Sequence, residues 1–129
     1  MSDQAYRPMT VADLALHLEK ATDDAIRWRL IAEFLEEYRH EGVEGRGRLL
    51  LREPRSSGDQ RWDVLLAALA EHLAARDGRG APSWTEARCL RRFWFPFNTP
   101  AARVDAMVHA PAAFRRRGVF IAPQELEVA

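Results

Sequence analysis

One group of side chains in this sequence has the residue types and spacing of a metal site. Glu33, Glu37 and His40 stand at positions i, i+4 and i+7 of a predicted helix, and the last two have the Glu-x-x-His spacing of carboxylate-bridged metal bundles. Such a centre needs ligands that project inward from several helices. At about 100° per residue these three side chains project opposite the apolar positions Ile31 and Tyr38. The pattern therefore favours a solvent-exposed face, and we predict no metal and no other cofactor.

A second candidate chemistry is nucleophilic catalysis by Cys89, the only cysteine. The basic neighbours Arg88, Arg91 and Arg92 would lower the pKa of its thiol if they clustered around it, but catalysis also needs a base within hydrogen-bond reach. The sequence places no histidine beside it, and a lone cysteine on a helix is more often a small packed side chain. Motifs of phosphate-binding loops, serine hydrolases and zinc proteases are absent from the sequence. We predict no catalytic residues, with a small enzyme of unrecognised site as an alternative. The four histidines that could supply a base for Cys89 are His17, His40, His72 and His109.

The C-terminal third is basic and aromatic although the whole chain has no net charge. Residues 88–117 hold seven basic residues and one acidic residue, whereas residues 1–64 hold ten basic and thirteen acidic residues. Arginine and aromatic side chains are typical of interaction hot spots, so this segment predicts a surface for an acidic protein partner, with nucleic acid as the alternative. Helix-dipole stabilisation by the last three arginines and closure of the core by the aromatic residues are the structural alternatives. The predicted partner-binding residues are Arg88, Arg91, Arg92, Trp94, Phe95, Phe97, Arg103, Arg115, Arg116 and Arg117.

A degenerate helix-turn-helix pattern near the N-terminus is a second possible basis for nucleic-acid binding. The segment 10–15 resembles the opening of such a motif, and residues 26–28 fall near the position that reads a DNA groove. Glu19 stands where these motifs usually have glycine, and Asp23 and Asp24 would bring carboxylates next to DNA phosphates. These departures disfavour DNA binding through this segment.

Composition and length limit the class of protein. The chain has 129 residues, 47% hydrophobic and 29% charged, with 19 basic and 19 acidic side chains, which is typical of one globular domain. The balance excludes a uniformly basic nucleic-acid coat. The longest strongly apolar run, residues 64–70, is far shorter than the roughly 20 residues of a spanning helix, and the N-terminus lacks an export signal. We expect a cytoplasmic protein, with no membrane association.

Hydrophobic periodicity predicts an all-α fold, a compact single-domain bundle of about five to seven helices with an extended C-terminal tail. The strongest stripe consists of Trp62, Leu65, Leu66, Leu69 and Leu73, which predicts the core seam. The domain is expected to span residues 1–129, with a flexible N-terminus over residues 1–9. Caps, prolines and glycines predict helices over about 10–20, 23–42, 49–51, 59–77, 83–96, 99–109 and 111–118, and a last turn near 123–125.

Three segments also carry a resemblance to a known group of proteins. Residues 28–35, 61–73 and 111–121 resemble a family of short, all-helical, largely uncharacterised actinobacterial proteins, some of them associated with transcriptional regulators or toxin–antitoxin modules. The resemblance covers about residues 28–129 and implies no catalytic residues. Together with the absence of catalytic motifs, the resemblance predicts a non-enzymatic protein-interaction module. The resemblance also implies that this module is antitoxin-like. A nucleic-acid-binding regulatory accessory protein is the alternative.

Overall fold

The structure, a computed structural model, describes residues 7–127, and this part of the chain is all-helical, without a β-strand. Five helices of nine or more residues and one short helix confirm the predicted all-α class and helix number. None of the helices in this range is both long and apolar enough to cross a membrane. The helices are α1 (Val11–Lys20), α2 (Asp24–His40), α3 (Val43–Leu51), α4 (Gln60–Arg76), α5 (Pro100–His109) and α6 (Ala112–Arg115), with 3₁₀ turns at Ser83–Thr85 and Pro123–Leu126.

Side-chain caps that the sequence predicts fix the starts of α1, α2 and α5. Thr10 and Asp13 form a reciprocal capping box, in which each side chain accepts from the other residue's backbone N–H at 3.0–3.1 Å. Asp23 caps α2 and Thr99 caps α5 by accepting the N–H of the residue three positions later. These contacts satisfy backbone donors that a helix start leaves without partners.

The centre of the fold is α4. Its predicted stripe is fully or nearly fully buried, which confirms that this face is the core seam. Ten of the 17 residues of α4 are buried, because α1, α3, α6 and the first 3₁₀ turn pack around it. The helix is therefore enclosed on more sides than its amphipathic stripe indicates.

The predicted helix over residues 83–96 is wrong. Only Ser83–Thr85 forms a 3₁₀ turn, and the chain is irregular from there to Thr99. Its backbone is instead hydrogen-bonded to the segment after α6. The N–H groups of Leu90 and Trp94 donate to carbonyls of that segment at 2.9 and 2.8 Å, and Phe120 donates back to Trp94 at 2.9 Å. Long-range pairing has replaced the local helical hydrogen bonds.

Both chain ends of the described range pack against the core. The predicted extended C-terminal tail is present, but Val119, Ile121 and Leu126 are buried in the central cluster. Residues 1–6 of the predicted flexible N-terminus lie outside the described residues. Met9 packs against the core, and its N–H donates to the Glu37 carboxylate at 2.6 Å.

Candidate functional site

Arg117 is an internal residue and not part of a surface. Its side chain is 7% exposed and forms an ion pair with Glu71 of α4. Its guanidinium also donates to the carbonyls of Ala113 at 3.0 Å and Thr85 at 3.1 Å. Burial lowers the pKa of this arginine. The prediction that Arg117 lines a partner-binding surface is therefore wrong, because both terminal nitrogens of its guanidinium are bonded inside the fold and its Nε is buried.

Two further predicted arginines are engaged within the molecule. Arg116 lies at the surface, but its charge is paired with Glu71. Arg88 donates to the carbonyls of Pro54 at 2.9 Å and Asp63 at 3.1 Å, and it is mostly buried. Its guanidinium lies 4.9 Å from the ring centroid of Trp84. These contacts fasten the loops around α4.

Two of the predicted aromatic residues close the core, as the structural alternative proposed. Trp94 and Phe97 are half-buried and belong to one chain of rings. Ring centroids lie 4.9 Å apart between Phe97 and Trp28, 5.0 Å between Trp28 and Trp62, and 5.4 Å between Trp62 and Trp94. Pairs at such distances stabilise a core beyond their buried area. Their main contacts are therefore internal.

The remaining four predicted arginines are exposed, and none forms an ion pair with another residue of the range 7–127. Two of them lie over aromatic rings, with the guanidinium of Arg103 4.1 Å from the centroid of Phe95 and that of Arg115 5.7 Å from Phe120. Phe95 itself stacks on Phe120 with centroids 5.2 Å apart. The four residues are Arg91, Arg92, Arg103 and Arg115.

Sequence reasoning missed the exposed apolar side chains in the same part of the chain. Phe93 is 70% exposed with its ring 4.8 Å from Phe120. On α5, Val104, Met107 and Val108 are 57–63% exposed, while the small residues of the opposite face are buried. The signal in the sequence was an alanine stripe at i, i+4 and i+8, namely Ala102, Ala106 and Ala110. We define the C-terminal surface as eight exposed residues of the irregular region, α5 and α6: Arg91, Arg92, Phe93, Arg103, Val104, Met107, Val108 and Arg115.

The proposed metal pattern on α2 is not assembled. Glu33 and His40 are exposed. Glu37 is half-buried, and its carboxylate accepts a hydrogen bond from the N–H of Met9. Across residues 7–127, no three His, Cys, Asp or Glu side chains converge in a way that suits a metal ion.

Cys89 lies at the surface without a histidine partner. Its Sγ contacts the main-chain carbonyls of Leu90 and Arg116 at 3.6 and 3.8 Å. It lines an open cleft of about 570 Å³ together with Arg88 and Asp63, and no histidine is among the lining residues. The Asp63 carboxylate in this cleft accepts hydrogen bonds from the adjacent serine loop at 2.7 Å. The polar groups here serve the fold.

The residues that a helix-turn-helix would use to contact DNA are also engaged in contacts within the fold. Arg27 pairs with Asp24 at 2.7 Å and donates to the carbonyl of Ala21 at 3.0 Å. Trp28 packs on Trp62 in the ring chain. Side chains held in this way are not directed outward to read a DNA groove.

No protein-family model, curated protein or solved structure matches this chain. The family resemblance therefore stays a prediction, and the function has to be inferred from the side chains of this protein.

Proposed function

We propose that this chain is a non-enzymatic, cytoplasmic protein-interaction module that binds an acidic protein partner through the C-terminal surface. The single observation that supports it best is the exposed apolar stripe of α5 with two exposed arginines beside it, Arg103 and Arg115, neither of which forms an ion pair with another residue of the range 7–127. Arginine rims around apolar anchors are typical of protein interfaces. If the partner is a toxin, this role is that of an antitoxin.

Nucleic-acid binding is the second candidate, because the four arginines of the C-terminal surface would contact phosphates. It predicts a steep loss of affinity with salt, since each neutralised phosphate releases counterions. A protein partner predicts a weaker salt dependence, which acts mainly on the association rate.

The test is affinity capture from the native host with a matched pair of variants. In the first variant, the four arginines of the C-terminal surface are replaced by glutamine. In the control, four other exposed arginines that form no ion pair within residues 7–127 are replaced in the same way: Arg29, Arg48, Arg52 and Arg55. Both proteins are first checked for an unchanged unfolding midpoint.

We expect the wild type and the control to retain the same protein partner after nuclease treatment, and the first variant to lose it. Loss of all binding after nuclease treatment would show that the chain binds nucleic acid and not a protein partner. Equal capture by both variants would exclude the C-terminal surface as the binding site.

A further inference from the structure

The most unusual exposed element of the C-terminal surface is α5. This helix buries Ala106 and Ala110 and leaves its larger apolar side chains in solvent. At about 100° per residue, Val104, Met107 and Val108 fall within one arc on the side opposite Ala106. A helix normally buries its larger apolar side chains and exposes the smaller ones. The stripe of α5 is therefore an apolar face without a partner in the described chain.

We propose that the occupant of this stripe is an amphipathic α-helix of the partner protein, with an apolar stripe of its own and acidic residues on the flank that faces Arg103. This inference rests on the proposed function and specifies the partner's chemistry. The spacing i, i+3 and i+4 is the pattern by which one helix packs on another.

The shape of the site favours a helix over an extended peptide. Strand addition needs the open edge of a β-sheet, and residues 7–127 contain no strand. The ten residues of α5 span about 15 Å, which matches roughly three turns of a crossing helix. Its exposed face is convex, so side chains of a second helix can interdigitate with it.

Positive charge along one side of the stripe indicates an acidic flank on the partner helix. Arg103 lies one helical turn before Met107, and its guanidinium lies over Phe95 and donates to Asn98 Oδ1 at 2.6 Å. Arg115 donates to the carbonyl of Val108 at 3.3 Å and lies over Phe120, which stacks on Phe95, so both guanidiniums lie on the same side of α5. The one acidic residue of the helix, Asp105, falls on the other side of the stripe, where it is held by Gln124 at 2.5 Å and His109 at 2.9 Å. A partner helix with carboxylates on the flank that faces Arg103 would complement this distribution of charge.

The aliphatic stripe also favours a polypeptide over nucleic acid. Phosphates would contact the arginines but would leave Val104, Met107 and Val108 without apolar contacts. Burying such side chains against another apolar surface is favourable in proportion to the area removed from water.

The test uses a fluorescein-labelled peptide of about 18 residues, or five helical turns. Its leucines stand at i, i+3, i+4 and i+7, and one flank carries glutamates. Comparison probes are the same peptide with lysine in place of each glutamate, a scrambled acidic peptide and a short DNA duplex. Fluorescence anisotropy measures binding of each probe to the full chain.

Two triple variants separate the stripe from general surface hydrophobicity. The stripe variant is Val104→Gln, Met107→Gln and Val108→Gln. The control is Leu16→Gln, Val43→Gln and Leu51→Gln, which removes three exposed large apolar side chains elsewhere.

We expect the stripe variant, the lysine peptide and the scrambled peptide each to weaken binding by at least about tenfold, while the control variant binds as the wild type does. No binding of the acidic helical peptide, or equal loss in both triple variants, overturns the inference. If the native partner is lost by the arginine variant and retained by the stripe variant, the inference fails and the proposed function stands. Preference for the duplex would reject both.

Discussion

Arg116 and Arg117 are neighbours in the sequence and share Glu71, yet they differ in what they stabilise. The side chain of Arg116 is 60% exposed, whereas that of Arg117 is 7% exposed. Removing Arg117 would leave Glu71 without its buried partner and would remove one hydrogen bond from each of the carbonyls of Ala113 and Thr85. A buried charge network loses much more than a surface pair when one partner is removed.

We therefore predict different stability effects for two alanine substitutions. Arg117→Ala should lower the free energy of unfolding by about 3 to 5 kcal/mol, because it breaks a buried pair. Arg116→Ala should cost at most about 1 kcal/mol, as is typical of exposed pairs. Urea unfolding of both variants at neutral pH measures the difference, and equal costs would contradict the assignment of Arg117 to the interior.

At the scale of elements, α4 carries the core, and one substitution tests this. Leu69 is fully buried, so Leu69→Ala should cost about 2 to 5 kcal/mol through lost transfer free energy and the cavity left behind. The matched control is Leu51→Ala on α3, which is exposed and should change stability by no more than about 0.5 kcal/mol. An unchanged urea midpoint for Leu69→Ala would show that the stripe is not the core.

The elements that could be predicted from the sequence are those with local signals. Thr10, Asp23 and Thr99 are caps whose effect is confined to one helical turn, and the stripe of α4 repeats over about three turns. The region 83–96 could not be predicted, because hydrogen bonds to residues 24 to 27 positions away decide its conformation. Local patterns do not contain that information.

The candidate site shows the same division. Arg115, Arg116 and Arg117 form one run, and no spacing rule distinguishes the exposed arginine from the buried one. The direction of each side chain depends on how α6 packs against α4. The apolar stripe of α5 was visible as a pattern, but its outward orientation depends on the fit of Ala106 and Ala110 against Phe120.

At the scale of the whole molecule, the C-terminal tail joins parts that are distant in sequence. Val119, Ile121 and Leu126 lie in the same cluster as the side chains of α1, α2 and α4. The backbone of this tail, together with the carbonyls just before it, also holds the irregular region that contains Trp94. The tail is thus part of the core and of the support for the C-terminal surface.

A chain that ends at Gly118 should therefore lose stability and order well beyond the missing segment. We expect a much lower unfolding midpoint and loss of hydrogen-exchange protection around Trp94, because the Trp94 carbonyl would lose the N–H of Phe120 and the core would lose Val119 and Ile121. Because truncation removes many contacts at once, Ile121→Ala serves as the milder variant, with an expected cost of about 2 to 5 kcal/mol. Glu125→Ala is the control, since this residue is exposed on the same tail and should change stability by no more than about 0.5 kcal/mol. If the truncated chain unfolds at the midpoint of the full chain, the tail does not belong to the core. The C-terminal surface would then need another support.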